Sequence, residues 1–352
     1  MLYLTPYTAL LLIEHVDDVE TLTNLMCTCK EMCALCRKYE HHITKTIVNS
    51  RMGSDGHLLP LTGTVLSTYT YEREVMEPYS FSLLRELDMR RHRVDLLFKD
   101  GGAIMRAITN DMNNKLSMLW RLELDKAAIL VQKLKGACML VDRLSDCVAD
   151  VQHLDMISAA ANPNNNNDEN TETDDPDTAR ALREKRNNKI TRKSQWAQRR
   201  FLQSLAPIEL AYLHALELHV GHAYIFESGG KIFDNDEATS VTAVQEVFLR
   251  QGSLALQAWF LAGDVAAKHQ QRKSLTRHFI MTLEAMMEEL RRYENGQALA
   301  VGSEDVDDEG GHAGVLPGLQ QIIVSEFVRK VGSTTDRAWI KMNRMILADI
   351  GD

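Results

Sequence analysis

The sequence predicts an all-α protein: a short amino-terminal three-helix segment followed by a long-helix bundle with disordered polar loops. Aromatic residues make up only 6% of the chain, whereas leucine, alanine, methionine and glutamate are frequent. That mix favours straight-chain helix formers over the β-branched and aromatic side chains of sheets. Apolar residues also recur at spacings of three and four, above all between Leu119 and Leu154, which is the period of one helix face. Loops marked by glycine, proline or polar clusters separate the periodic stretches.

Taken in order, Pro6 to Glu14, Val19 to Met26 and a longer stretch from about Thr28 read as three helices. Asp17 and Asp18 stand where a turn and an N-cap are wanted. A loop from Arg51 to about Thr64 carries Gly53, Gly56, Pro60 and Gly63. Leu84, Leu87, Val94 and Leu97 define an amphipathic segment that stops at Gly101 and Gly102. Leu119, Leu122, Leu130, Leu134, Leu140, Leu144, Val148, Val151 and Leu154 then lie on one long helix or two nearly collinear ones, which need a helical partner.

Asn162, Pro163 and Asn164 to Asn167 open a polar, acidic stretch ending near Asp177, too poor in apolar surface to order itself. A basic lead-in with Arg180, Arg183, Lys185, Arg186, Lys189, Arg192 and Lys193 precedes an apolar face begun by Trp196, Phe201 and Leu205. Pro207 fits the first turn of a helix holding Leu210, Leu213 and Leu216. Ser253 can cap a helix with Leu256, Trp259 and Phe260, and Gly296 can end one with Phe279, Leu283, Met286 and Leu290. Ser303 to Gly314 is a second polar loop. The last helices hold Ile322, Ile323, Phe327 and Val328, then Trp339, Met342, Met345 and Ile346. The division expected is a segment over 1–50, a linker loop over 51–78, long helices over 79–160, an Asn/Asp-rich disordered loop over 161–178, and a helical region over 179–352 bundled with 79–160.

The 352 residues carry a formal charge of −9, which opposes bulk attraction to phosphate backbones, so nucleic acid is not an expected partner. The basic stretch from Arg180 to Arg200 reads as a solvated helix face beside an acidic loop. The first thirteen residues are apolar, but no lysine or arginine precedes Lys30, Pro6 interrupts them, and they run into Glu14, Asp17 and Asp18. That is not the pattern of a signal peptide. No stretch has the length of apolar sequence that a membrane-spanning helix needs. The expected location is therefore cytoplasmic or nuclear, with Cys27, Cys29, Cys33, Cys36, Cys138 and Cys147 as reduced thiols.

Several groups in the sequence could carry chemistry. Cys27, Cys29, Cys33 and Cys36 lie just before His41 and His42, but structural zinc sites draw cysteine pairs from turns. Cys29, Cys33 and Cys36 on one helix form a packed stripe, so buried small side chains are expected there instead of a metal. Asp305, Asp307, Glu309 and Gly310 resemble the start of a calcium loop, yet Leu316 occupies the position of its bidentate glutamate. Glu14, His15, His214, His219 and His222 show no histidine pair at i and i+4 enclosing a glutamate, and are expected to be core or surface residues. There is no Gly-x-Ser-x-Gly elbow, no phosphate-cradling Gly-x-x-x-x-Gly-Lys and no dinucleotide fingerprint. Neither catalytic residues nor a cofactor are expected.

The amino-terminal run Leu4-Thr5-Pro6, Leu10, Leu11, Leu12, Ile13, Val16, Leu22, Leu25, Cys29, Lys30, Met32 and Leu35 is similar to an F-box. The family pattern is Leu-Pro, a leucine-rich turn ending in isoleucine, a hydrophobic-Asp turn, a Leu-x-x-Leu helix and a Cys-Lys/Arg pair. Laid without gaps from Pro6, Ile13, Leu22, Leu25 and Cys29-Lys30 fall on the matching positions. Arg37, Lys38, Tyr39 and Glu40 to Ile43, Thr44 and Ile47 resemble the extension seen in F-box proteins of filamentous fungi. The chain departs from the pattern at Thr5, Thr8 and Asp17, and no tryptophan follows Lys30.

The resemblance implies a non-catalytic substrate-recognition adaptor of a cullin-RING (SCF) ubiquitin ligase. Leu4, Pro6, Leu10, Leu11, Ile13, Val16, Leu22, Leu25, Cys29 and Lys30 would meet a Skp-type adaptor, and the helical remainder would hold an unknown protein target. A segment this short has too little interior to hide all these apolar residues, which leaves a face for a partner's helices. The alternative is that the same residues face the long helices that follow, making the chain a helical scaffold or interaction protein with no ligase role. An enzyme with a site between its helices carries the least weight.

Overall fold

The computed structural model describes residues 16, 19–52, 64–66, 73–114, 119, 122–161, 193–228, 237–260, 281, 283, 286–287 and 318–351. These residues are helical apart from turns and one pair of short strands. The chain divides into two compact units, Met1–His92 with Ala149–Arg186 and Arg93–Val148 with Asn187–Asp352. The expected helix from Pro6 to Glu14, Asp17, Asp18, the Asn/Asp-rich loop, Gly296 and the loop from Ser303 to Gly314 lie outside the described residues.

In the first unit, α1 (Val19–Thr28), α2 (Lys30–Lys38) and α3 (Glu40–Met52) follow one another with single-residue breaks. Cys29 is extended, and its Sγ accepts the Met32 N–H at 3.4 Å, so a thiol N-caps α2. The continuous helix expected from Thr28 ends instead at Tyr39, whose N–H turns back to the carbonyls of Leu35 and Cys36 before α3 begins. Where a loop and linker were expected, β1 (Thr64–Leu66) pairs antiparallel with β2 (Arg73–Val75), Val65 opposite Glu74. The amphipathic segment is α4 (Phe81–Leu97), and the division between the units falls within it. Its start is doubly capped. Glu40 Oε1 accepts the Phe81 N–H at 2.6 Å, and Ser80 Oγ accepts the Leu83 N–H at 3.2 Å. One core joins Val16, Leu22, Met32, Cys36, Ile43, Ile47, Val48 and Met76 to Leu83, Leu84 and Leu87.

The second unit holds α5 (Ala103–Asn113), most of the single long helix α6 (Leu124–Ala161), helical residues 193–204, α7 (Pro207–Ser228), α8 (Glu237–Gln251), α9 (Ser253–Phe260), α10 (Leu319–Val331) and α11 (Thr335–Asp349). Leu119 and Leu122 precede α6 instead of lying on it. Helix α7 begins at Pro207, as the sequence predicts, and packs against α5, α8, α10 and α11. It is buried at Leu210, Ala211, Leu213, Leu216, Val220 and Ala223 and exposed at Leu218 and Phe226.

Buried polar links fix the other helices. The Ser253 N–H donates to Asp142 Oδ1 at 2.5 Å and its hydroxyl to Asp142 Oδ2 at 2.7 Å, while Arg93 Nε donates to that hydroxyl at 2.6 Å. Ser253 is therefore capped by Asp142 of α6 and does not itself cap α9. Glu246 Oε1 accepts the Gln320 N–H at the start of α10, and Lys330 Nζ donates to the carbonyls of Gln203 and Leu205. Trp196 and Trp339, expected on apolar faces, are half-exposed. The Arg200 guanidinium covers the Trp196 ring at 3.9 Å, an arrangement that keeps its cation in water.

Candidate functional site

Of the ten residues proposed to meet an adaptor, Leu4, Pro6, Leu10, Leu11 and Ile13 lie outside the described residues. Val16 and Leu22 are buried in the core that also holds Leu83, Leu84 and Leu87 of α4, and Leu25 is partly buried against it. They fix the helices to their own chain. Cys29 and Lys30 are exposed at the α1–α2 break. The rest of the exposed surface here is mostly polar, with Glu20, Thr23, Asn24, Glu31, Arg37 and Lys38 beside the small side chains of Cys27 and Ala34. Among the described residues of α1 to α3, no large apolar side chain is exposed.

The cysteine stripe is corrected. Cys29 stands between two helices and is exposed, Cys33 is half-buried, and only Cys36 enters the core. Because Cys29 has extended backbone, its side chain is not on the face that Cys33 and Cys36 share. Burial, with Cys33 alongside, pushes the Cys36 thiol up, so it stays protonated and acts as a small apolar residue.

A second constellation was not legible as a motif. Asp111, in the last turn of α5, meets His219 and His222 of α7. His219 Nδ1 lies 3.5 Å from Asp111 Oδ2, and His222 Nδ1 lies 3.9 Å from Asp111 Oδ1. One potential ligand atom from each of the three residues lies within 4.8 Å of the other two. The helix places both rings on one side because residues three apart are neighbours on its surface. The His219 side chain is 4% exposed and His222 45%, so the cluster runs from the interior to solvent. Burial, assisted by His222, pulls the His219 imidazole down to about 4, which leaves it neutral at pH 7. Burial also raises the Asp111 carboxyl, against the opposing pull of His222. The buried Nδ1 of His219 has no hydrogen-bond partner.

The arrangement is anchored on both helices. Arg106 of α5 pairs with Glu227 of α7, so as α5 advances from 106 to 111, α7 runs back from 227 to 219, and the two helices are antiparallel here. Just before the cluster on α7, His214 Nδ1 meets the buried Glu217 Oε1 at 2.6 Å. Burial raises the Glu217 carboxyl against that contact. His214 and Glu217 thus form a bonded pair with Glu217 Oε2 left over, whereas Asp111, His219 and His222 bring ligand atoms from three side chains to face one another without a hydrogen bond among them.

No helix among the described residues is long and apolar enough to cross a membrane. Comparison of the chain with protein-family profiles, with curated proteins and with solved structures returns no match in any of the three.

Proposed function

We propose that the chain is an F-box-type recognition adaptor of an SCF ubiquitin ligase, docking a Skp-type adaptor through its amino-terminal segment and a protein target through its helical remainder. The observation that carries this reading is the break between α1 and α2. The Leu-x-x-Leu pair Leu22 and Leu25 lies on the inner side of α1, and Cys29-Lys30 stands exposed at the junction that Cys29 caps. On this reading the ten motif residues divide their work. Val16 and Leu22 clamp the segment to α4, while Leu4, Pro6, Leu10, Leu11, Ile13, the outer edge of Leu25, Cys29 and Lys30 meet the partner. Such a role needs no catalytic group.

A second reading, a helical interaction protein with no ligase connection, draws its support from the burial of Val16 and Leu22 in the chain's own core. Co-purification of the full chain with a Skp-type adaptor separates the two. The wild type retains the adaptor and Pro6→Ala/Leu10→Asp and Lys30→Glu variants lose it if the first reading is right. A wild type that retains none overturns it in favour of the second.

A further inference from the structure

We propose that Asp111, His219 and His222 bind one divalent transition-metal ion of the zinc class where α5 meets α7, with a coordination position left open to solvent. The donor set is one carboxylate and two imidazoles. Nitrogen-rich, borderline ligands of this kind suit zinc and its neighbours, whereas magnesium and calcium select all-oxygen sites. Metal–ligand bonds of about 2.0–2.1 Å put neighbouring ligands of a tetrahedral ion about 3.3 Å apart. His219 Nδ1 lies 3.5 Å from Asp111 Oδ2, His222 Nδ1 3.9 Å from Asp111 Oδ1, and the three ligand atoms lie within 4.8 Å of one another, so the side chains must draw together to close the site.

The competing reading is a carboxylate–histidine ion pair that only ties two helices together. It leaves the Nδ1 of His219 buried and without a hydrogen-bond partner, although buried polar atoms are nearly always satisfied. A metal between the three side chains satisfies that nitrogen, His222 Nδ1 and one carboxylate oxygen at once. Three protein ligands fall one short of a closed tetrahedral structural site. The missing ligand lies on the side of half-exposed His222, flanked one turn away on the same helix face by the exposed side chains of Leu218 and Phe226. The open position is thus accessible from water and bordered by apolar surface, a setting for a water molecule or a small anionic ligand.

The test is titration of the chelator-stripped full chain with Co²⁺, whose tetrahedral complexes absorb in the visible. One equivalent is expected to develop that absorption, and one equivalent of Zn²⁺ to abolish it. Because the chain has six thiols, the spectrum must lack the strong near-ultraviolet charge transfer of sulfur ligation. His222→Ala and Asp111→Asn, one half-exposed and the other nearly isosteric, should retain the wild-type circular dichroism and melting temperature. Each should weaken Co²⁺ at least about 100-fold, the upper end of what loss of even an indirect supporting contact does. No bound-cobalt spectrum, a thiolate spectrum, failure of zinc to compete, or unchanged affinity in both variants overturns the proposal.

Discussion

Removing the Asp142 carboxylate should be among the most damaging single changes available to the second unit. Asp142 caps α9 through the Ser253 N–H, accepts the Ser253 hydroxyl and faces Arg93 Nη2 at 3.3 Å. The side chains of that ion pair are 4% and 3% exposed. Truncation to alanine removes a carboxylate from beside a buried guanidinium and the acceptor from a helix N-terminus. Breaking a buried pair from one side costs about 3–5 kcal/mol. At about 2–4 °C per kcal/mol for a unit of this size, Asp142→Ala should lower its melting temperature by about 6–20 °C.

Asp95→Ala is the matched control. Lys135 Nζ lies 2.7 Å from Asp95 Oδ1, shorter than the Arg93–Asp142 contact, but the two side chains are 21% and 50% exposed. Exposed pairs contribute about 0.2–1 kcal/mol, so this change should move the transition by no more than about 4 °C. Thermal melts followed by circular dichroism measure both, and hydrogen exchange in peptides covering residues 250–260 should quicken in Asp142→Ala alone. Equal, small losses in the two variants would refute the argument that burial, not distance, ranks these pairs.

Gly252 has φ +76°, and a Cβ there would collide with Asp142 Oδ1 and sit 3.1 Å from Ser145 Oγ, so Gly252→Ala should cost more than the roughly 1 kcal/mol of a relaxed left-handed alanine, read from a denaturant midpoint. Leu22→Ala should destabilise the isolated chain by about 2–5 kcal/mol because Leu22 is 2% exposed in the first core; a change within 0.5 kcal/mol would mean that this leucine faces a partner. The Lys133 ammonium, assisted by the Tyr212 hydroxyl, holds the Asp349 carboxyl below the usual carboxylate range. A carboxyl lowered in the folded state stabilises above its unfolded pKa and loses that contribution as pH falls. Asp349→Asn should therefore flatten the acid limb of the melting-temperature profile below about pH 4, and an unchanged limb would count against the contact.

Helix content was legible because periodicity and propensity act locally. Leu84, Leu87, Val94 and Leu97 are all buried on α4, and Pro207 opens α7. Boundaries set by single contacts were less so. The break at Tyr39 is made by two carbonyls of the preceding turn, and the start of α9 by a carboxylate at position 142. No local pattern announces either. The strand pair was missed because each strand is three residues long, below the length at which alternation can be counted. The short helix α5 was passed over in favour of the stronger repeat after it, and with it went Asp111. His219 and His222 stand three apart, outside the i, i+4 pattern around a glutamate, and nothing in their own segment announces a ligand from another helix.

Helix α7 explains why the cluster had to be found in three dimensions. It packs against four other helices and its exposed strip carries the apolar Leu218 and Phe226, so no polar stripe marks a functional residue, and its buried polar side chains must find partners on their own helix or on a neighbour. The carbonyl of Glu217 is met by Gln245 of α8, and one carboxyl oxygen, Oε1, by His214 one turn back, while Oε2 is buried without a hydrogen-bond partner. His219, two residues on, instead faces Asp111 of α5 with its Nδ1 unbonded. A satisfied helix–helix contact has no reason to bring two imidazoles and a carboxylate together without a hydrogen bond among them. Ligand atoms poised around a common centre do, and what sets His219 apart from Glu217 is that the donor atoms of two further side chains, Asp111 and His222, converge on its unbonded nitrogen.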